Sequence, residues 1–512
     1  MDFTQERLKK LASSNVGEVY EGITHNFYDV KEPSFSEKEK KLASALIRFI
    51  QRKESSTELG AFEELPDEFY DSFRDEVISA IEIGGLLERL PSRKVFVSLA
   101  ESMIKLLAGV SFIQDKSLFS EYVLHNSIGL KQLAFFSLDD DLEELMVNGL
   151  DSVFVFHRKH GMCKTGMRLE EKPFMNLVHK IALSVGKEFD PKNPLLDARL
   201  PDGSRVNATT DDVSPKGISM TIRKFSTIPM TMLDLIEKGT IPSDVAAFLW
   251  TMVDGMGVTP QNIIVAGGTA SGKTTFLNVL SNFSRLSERI VSIEDTLELS
   301  LLNRENWVAL EARHSFGEEV TMDALLKNAL RMRPDRIIVG EVRGAEALTL
   351  FTAMDNGHAG CMGTIHANDP RETVVKLQER PFSVPTSMIP LVDLIVVMQR
   401  RYSKEKGMQR RVMQIAEVSR MEAKVLLANI YEFNDAEGVL KRTEVPSRII
   451  EDVASKNSMT KNDLRKEIDL RQMVLEWMLR KNIRKPLEVL EVMQSYYYNP
   501  KKVLSAIQSF EE

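Results

Sequence analysis

The chain has 512 residues, 43% hydrophobic and 27% charged, which is ordinary globular composition and enough for roughly two to four domains. Its net charge of −8 speaks against a dedicated nucleic-acid binder, which would usually carry a strong basic excess. Cys163 and Cys361 lie far apart with no CxxC partner, so no disulfide framework or cysteine metal centre is expected, and a reducing, cytoplasmic setting is.

The first residues, MDFTQERLKK, lack the apolar stretch of a secretory signal, and no apolar run is long enough to span a membrane. Work at a membrane would therefore require recruitment. Residues 1–130 read as a helical module. Ser36 and Glu39 have capping-box spacing, and Leu42, Ala45, Leu46, Phe49 and Ile50 recur on one helical face. A similar stripe runs from Val95 to Leu107. Nothing here suggests catalysis, and a docking or packing role is expected. The charges at Glu37 to Lys41 read as a solvated helix face.

Residues 131–225 change to an α+β texture. VFVFHRKHG alternates and ends at Gly161, predicting a strand and hairpin turn. His157 and His160 read as exposed turn histidines. RLPDGSRVNAT places a Pro-Asp-Gly turn between two extended segments, and GISMTIRKF is a further strand. Arg199, Arg205, Arg223 and Lys224 sit on or beside strands, where rigid backbone could aim cations at a phosphate. Residues 226–240, with Pro229 and a glycine ahead of the next helix, read as an interdomain linker.

From 241 to 512 strands and helices alternate, implying a largely parallel buried sheet, with helices closing the chain. Such sheets hold ligands at the carboxyl ends of their strands. There lies NIIVAGGTASGKTTFL, where Gly267, Gly272, Lys273 and Thr274 satisfy the P-loop spacing. Gly267, Gly268, Thr269, Ala270, Ser271 and Gly272 would turn successive N–H groups toward phosphates, and a helix would start beneath them. Lys273 would reach the β- and γ-phosphates of ATP, the Thr274 hydroxyl would hold Mg²⁺, and Thr275 completes the segment.

Three further stretches follow at strand ends. In IEDTLE, Glu294 and Asp295 suit outer-shell contact to Mg²⁺ through water, or orientation of an attacking water; a solvated strand end or helix cap is the competing reading. In RIIVGEVRG, Glu341 takes the place of a carboxylate that polarises water, and Arg343 is a charge-compensating cation or a surface ion-pair partner. Gly340 stands where many P-loop enzymes carry a Mg²⁺-binding Asp. In GHAGCMGTIHAND, His358 and His366 have no zinc spacing and suit sensing of a terminal phosphate, against the alternative of satisfied core histidines.

The order P-loop, IEDTLE, RIIVGEVRG and GH…GTIHAND resembles the secretion ATPase superfamily of type II and type IV secretion, pilus and archaellum machines. DLEELMVNG and RLPDGSRVNAT…TIRKF extend the resemblance over about residues 131–440. The absent CxxC module and the helical front end look closest to the archaeal pilus-type branch, especially the archaellum motor. The resemblance implies a RecA-like P-loop C-terminal domain behind an α+β N-terminal domain. It also implies a homo-hexamer hydrolysing ATP with Mg²⁺ at the inner face of the membrane, pushing on a membrane platform protein and other filament-machine subunits. Arg199, Arg205 and Arg223 are the candidates for a clamp lent between subunits, with 226–240 as its hinge. An adhesion-pilus or secretion ATPase is the near alternative. A nucleic-acid translocase and a nucleotide-gated scaffold are the alternatives of other classes.

Overall fold

The computed structural model describes residues 9–511 apart from 15, 23–24, 32, 52–64, 66–68, 89, 92, 201–202, 225–228, 314–318, 404–406 and 423. The chain forms two compact units, Met1–Thr227 and Ile228–Glu512.

In the first unit, Ser36 caps the helix Glu37–Ile50 and Glu39 completes the capping box. Leu42, Ala45, Leu46 and Ile50 are buried, and with the helices Arg93–Leu106 and Lys116–Ser127 they form a core of their own. Glu39 departs from the expected solvated face. It is buried, and its carboxylate also accepts from the Gln114 amide at 3.1 Å. The expectation of an all-helical module over 1–130 is corrected at its start. Lys10–Ser13, Gly17–Tyr20 and Asn26–Val30 are strands that extend the sheet built by residues 142–223. These strands are too short for alternation to be read from sequence. Tyr28 anchors them, fully buried with its hydroxyl donating to Asp139 at 2.6 Å.

That sheet has nine strands among the described residues, and Asn26–Val30 lies parallel to Gly161–Thr165. The hairpin of Val153–His157 and Gly161–Thr165 turns at Gly161. His157 is not an exposed turn histidine. It is buried, and its Nδ1 accepts from the Lys159 amide at 3.1 Å. Leu195–Arg199, Arg205–Thr209 and Ser219–Arg223 pair antiparallel at the sheet edge. Pro201 and Asp202 of the expected turn lie outside the described residues.

In the second unit, residues 229–240 are not a free linker. Thr231 and Asp234 form a capping box on the helix Met232–Glu237, and Met232, Leu233 and Leu235 enter the unit's core. Three closely spaced apolar side chains outweighed the Pro and Gly signals there. The sheet also has nine described strands. In spatial order, Trp307–Glu311, Ile290–Glu294, Arg336–Val342, Met362–Ile365, Ile263–Gly267 and Leu394–Ser403 run parallel. Gly407–Met421, Lys424–Asn434 and Val439–Arg442 continue it antiparallel.

Ile263 and Val265 face one core, with the helices Ser243–Asp254, Lys273–Ser281 and Lys461–Arg480. Ile264 and Ala266 face the other, with Met322–Ala329 and Glu346–Asp355. Alternate burial on both faces is why the parallel strands read as continuous apolar runs. At their amino ends the side chain of Asn262 ties neighbours together. It accepts from the Cys361 amide at 2.8 Å and donates to the Leu391 carbonyl at 2.8 Å, while its backbone N–H donates to Asp393 at 2.7 Å.

Candidate active site

The strand Ile263–Gly267 is wholly buried and delivers the loop 268–272 to the start of the helix Lys273–Ser281. Gly272 has φ +91°, a left-handed geometry that lets the chain reverse into the helix, and Ala270 is also left-handed at φ +57°. Ser271 closes the loop by donating from Oγ to the Gly268 carbonyl at 2.8 Å. Lys273 is only 9% exposed, and its Nζ donates to the same carbonyl at 3.1 Å. Burial pushes this ammonium below the ordinary lysine range, opposed by the negative charge of Glu341. Thr274 is half-buried at the helix start, while Thr269, Ala270 and Thr275 are exposed.

The acidic groups arrive on neighbouring strands. Arg336–Val342 lies next but one to the P-loop strand and carries Glu341 near its tip. Arg343 Nε and Nη2 grip one Glu341 oxygen at 3.0 and 2.5 Å, and Nη1 reaches Asp295 at 3.2 Å. Glu346 fixes the turn by accepting from the Arg343 and Gly344 amides at 2.5 and 2.7 Å. Glu294 closes the next strand and is 1% exposed. Its Oε2 accepts from the amides of Glu298 and Leu299 at 2.7 and 2.9 Å, whereas Oε1 is buried with no hydrogen-bond partner among the described residues. Burial pushes its carboxyl up to about 7. Gly340 explains how Glu294 fits, since a Cβ there would lie 2.8 Å from Glu294 Cγ. The residue that replaces the usual Asp thus makes room for a second carboxyl from the adjacent strand.

His366 follows Ile365, which pairs with Ala266, so it lies beside the P-loop at the carboxyl end, exposed. His358 does not join it. It precedes Met362–Ile365 at the amino ends of the strands, on the order of 13 Å or more away by strand rise alone. The two histidines therefore do not form a pair around one site within a subunit, and only His366 lies on the side of the P-loop. Arg199, Arg205 and Arg223 belong to the first unit. Register aligns them, Arg199 opposite Arg205 and Arg205 opposite Arg223, as one row across three strands. Arg223 also meets Glu144 at 3.5 Å.

Two neighbours of the loop escaped sequence reasoning. The Asn368 amide oxygen stands 3.5 Å from where a Gly268 Cβ would be, and Arg410 Nε donates to the Ala270 carbonyl at 3.1 Å. Asn368 lies in the GTIHAND stretch. Arg410 is visible only through strand register.

Among the described residues no three His, Cys, Asp or Glu side chains converge to hold a metal. Were Mg²⁺ to arrive on a substrate phosphate, Thr274 would be its candidate direct ligand and Glu294 and Asp295 its candidates through water. The orphaned Glu294 oxygen is the observation that favours such an outer-shell partner.

The class is an α/β fold with a glycine-rich loop beside acids at the carboxyl ends of a parallel sheet, the end at which such folds bind ligands. The chain belongs to the family described as Type II/IV secretion system protein, whose model matches residues 137–485. The uncharacterized protein MJ0900 of Methanocaldococcus jannaschii is 30% identical over 93% of this chain and 85% of its own length. MJ0781 of the same organism is 52% identical over 47% of this chain, a stretch spanning only 34% of that protein. The crystal structure of the VirB11 ATPase from the Brucella suis type IV secretion system, in complex with sulphate, is 26% identical. It covers 56% of this chain and 96% of its own, with a TM-score of 0.29.

Proposed function

We propose that the chain is an ATP-hydrolysing motor of a secretion or type IV pilus-like machine, and that its filament is the archaellum. The observation carrying the enzymatic part is the gathering of Glu341, Arg343 and Asp295 at the carboxyl ends of two adjacent strands to one side of the P-loop strand. The loop and Lys273 hold the phosphates, Mg²⁺ when bound neutralises their charge, and Glu341 positions and deprotonates the attacking water. Arg343, now clamped on Glu341, is placed to swing onto the terminal phosphate and free that carboxylate. An archaeal relative and the helical front end support the archaeal pilus-type branch, and within it the archaellum is chosen over an adhesion pilus on the resemblance of the motifs alone.

The active form is a homo-hexamer at the inner face of the membrane, acting on a platform protein. No helix among the described residues is long and apolar enough to cross a membrane. The arginine row Arg199–Arg205–Arg223 serves the nucleotide of a neighbouring subunit.

Turnover by Glu341→Gln should fall by about 100-fold or more while Mg²⁺–ATP binding persists. Equal slow turnover by both proteins would instead indicate a nucleotide-gated scaffold, and DNA-stimulated, salt-sensitive turnover a translocase. In the host, loss of swimming on deletion, restored by wild type but not by Glu341→Gln, supports the archaellum. Loss of adhesion filaments with normal swimming reassigns it to pilus assembly, and a defect confined to DNA or protein transfer reassigns it to secretion.

A further inference from the structure

The hairpin of Leu394–Ser403 and Gly407–Met421 overhangs the P-loop, because Gly267 pairs with Met398 and that strand continues to Ser403. Two residues past Met398, Arg400 stands directly opposite Arg410. Alternation puts both on the face of Met398 and Val412, the face that packs against the P-loop helix. Arg410 touches the loop itself, with Nε on the Ala270 carbonyl at 3.1 Å and Cδ 3.1 Å from the position of a Gly272 Cβ.

Of the neighbouring cations one is ion-paired and the other is held by neutral acceptors. Arg401 pairs with Asp435, and Arg411 donates to Gln409 and to the Gly239 carbonyl at 2.7 Å. Arg400 and Arg410 are exposed, and neither meets a carboxylate within ion-pair distance among the described residues. Like charges directly opposite on a strand pair are unfavourable. An anion between them would relieve that repulsion, and Arg410 already stands against the loop.

We propose that Arg410, with Arg400 across from it, binds the phosphates on the nucleoside side of the nucleotide held by the P-loop. This rests on the nucleotide reading above. Sheet order decides which phosphates: the strands of Glu341 and Glu294 lie on one flank of the P-loop strand and the arginine hairpin on the other. The terminal phosphate faces the acids. The phosphates shared by ATP and ADP face the arginines.

These are therefore binding residues, engaged equally before and after hydrolysis. The full chain is titrated with fluorescent ADP and ATP analogues in Mg²⁺, and turnover is measured alongside. Arg410→Gln should weaken both nucleotides about tenfold, and Arg400→Gln about threefold, with KM raised and kcat held within about twofold. Without nucleotide, Arg400→Gln should melt no lower than wild type, since it relieves a repulsion, yet nucleotide should raise its melting temperature less. Loss confined to ATP, or a fall in kcat at unchanged KM, would overturn the assignment. So would an effect of Arg410→Gln alone with a lowered melting point, which marks a loop-supporting role. Wild type binding nucleotide with both variants unchanged overturns the arginine contact alone, whereas wild type binding neither nucleotide overturns the ATPase reading with it.

Discussion

Glu294 and Gly340 form a pair whose members are intelligible only together. The carboxyl of Glu294 occupies the space a side chain at 340 would need, at 2.8 Å from the Cβ position. Gly340→Ala should therefore destabilise the protein by about 1–3 kcal/mol through overpacking, read as a lowered urea midpoint. Adding Glu294→Ala should restore most of that loss, and an additive pair would show that the two do not share the space. The same burial sets a pH signature. A carboxyl raised to about 7 in the fold binds its proton more tightly than in the unfolded chain, so its contribution is present below the ordinary glutamate range and lost as pH rises toward 7. In EDTA, wild type should lose on the order of 3 kcal/mol relative to Glu294→Gln between pH 4.5 and 7.5, by denaturant titration at each pH. Parallel curves would mean that Glu294 stays charged. None of this coupling was legible in the sequence, where IEDTLE and RIIVGEVRG are separate stretches and Gly340 looks like a missing acid.

At the scale of elements, the parallel strands and their P-loop were legible because apolar runs ending in glycine or acid have few other solutions. The edges were not. The short strands at residues 10–30 and the helix Met232–Glu237 take their structure from tertiary partners, Tyr28 against Asp139 and Leu233 in the second core. The C-terminal helices add a feature that no motif announces. Arg471 of Lys461–Arg480 is 2% exposed, lies over the rings of Trp250, Tyr496 and Tyr497, and meets Asp254 at 2.9 Å. Arg285 reaches the same carboxylate at 2.8 Å. One fully buried acid thus holds two cations, fastening the helix Lys461–Arg480 to Ser243–Asp254 directly, while the rings of Pro486–Tyr498 pack on those cations. Asp254→Ala strands buried charge and should destabilise the second unit by about 3–5 kcal/mol in equilibrium unfolding. A loss under about 1 kcal/mol would mean that the aromatic rings alone hold the arginine.

For the molecule as a whole, the arginine row of the first unit offers the sharpest test of assembly. Sequence separated Arg199, Arg205 and Arg223, and only strand register lines them up. If the row completes a neighbour's site, Arg205→Ala and Glu341→Gln should each be nearly inactive, with about 10³-fold lost for a charge-compensating arginine. Mixed together, they should regain measurable ATP turnover, because one subunit supplies the arginine and the next supplies the acid. An inactive mixture, with subunit exchange verified by size-exclusion chromatography of tagged chains, would place the arginine in its own subunit's site or outside catalysis.

The tie made by Asn262 bears on how the chain folds. Parallel strands have no hairpin turn to fix their register, and a slip by one residue turns every side chain to the opposite face. Asn262 holds the Cys361 amide on one side and the Leu391 carbonyl on the other, at the end of the sheet remote from the phosphate loop. Register among segments 99 and 129 residues apart in the chain is pinned there by one amide side chain together with the backbone bonds beside it. Everything downstream along those strands, Gly267 beside Met398 and Ala266 beside Ile365, follows from that alignment. The chemistry at one end of the sheet is thus aimed by a polar lock at the other.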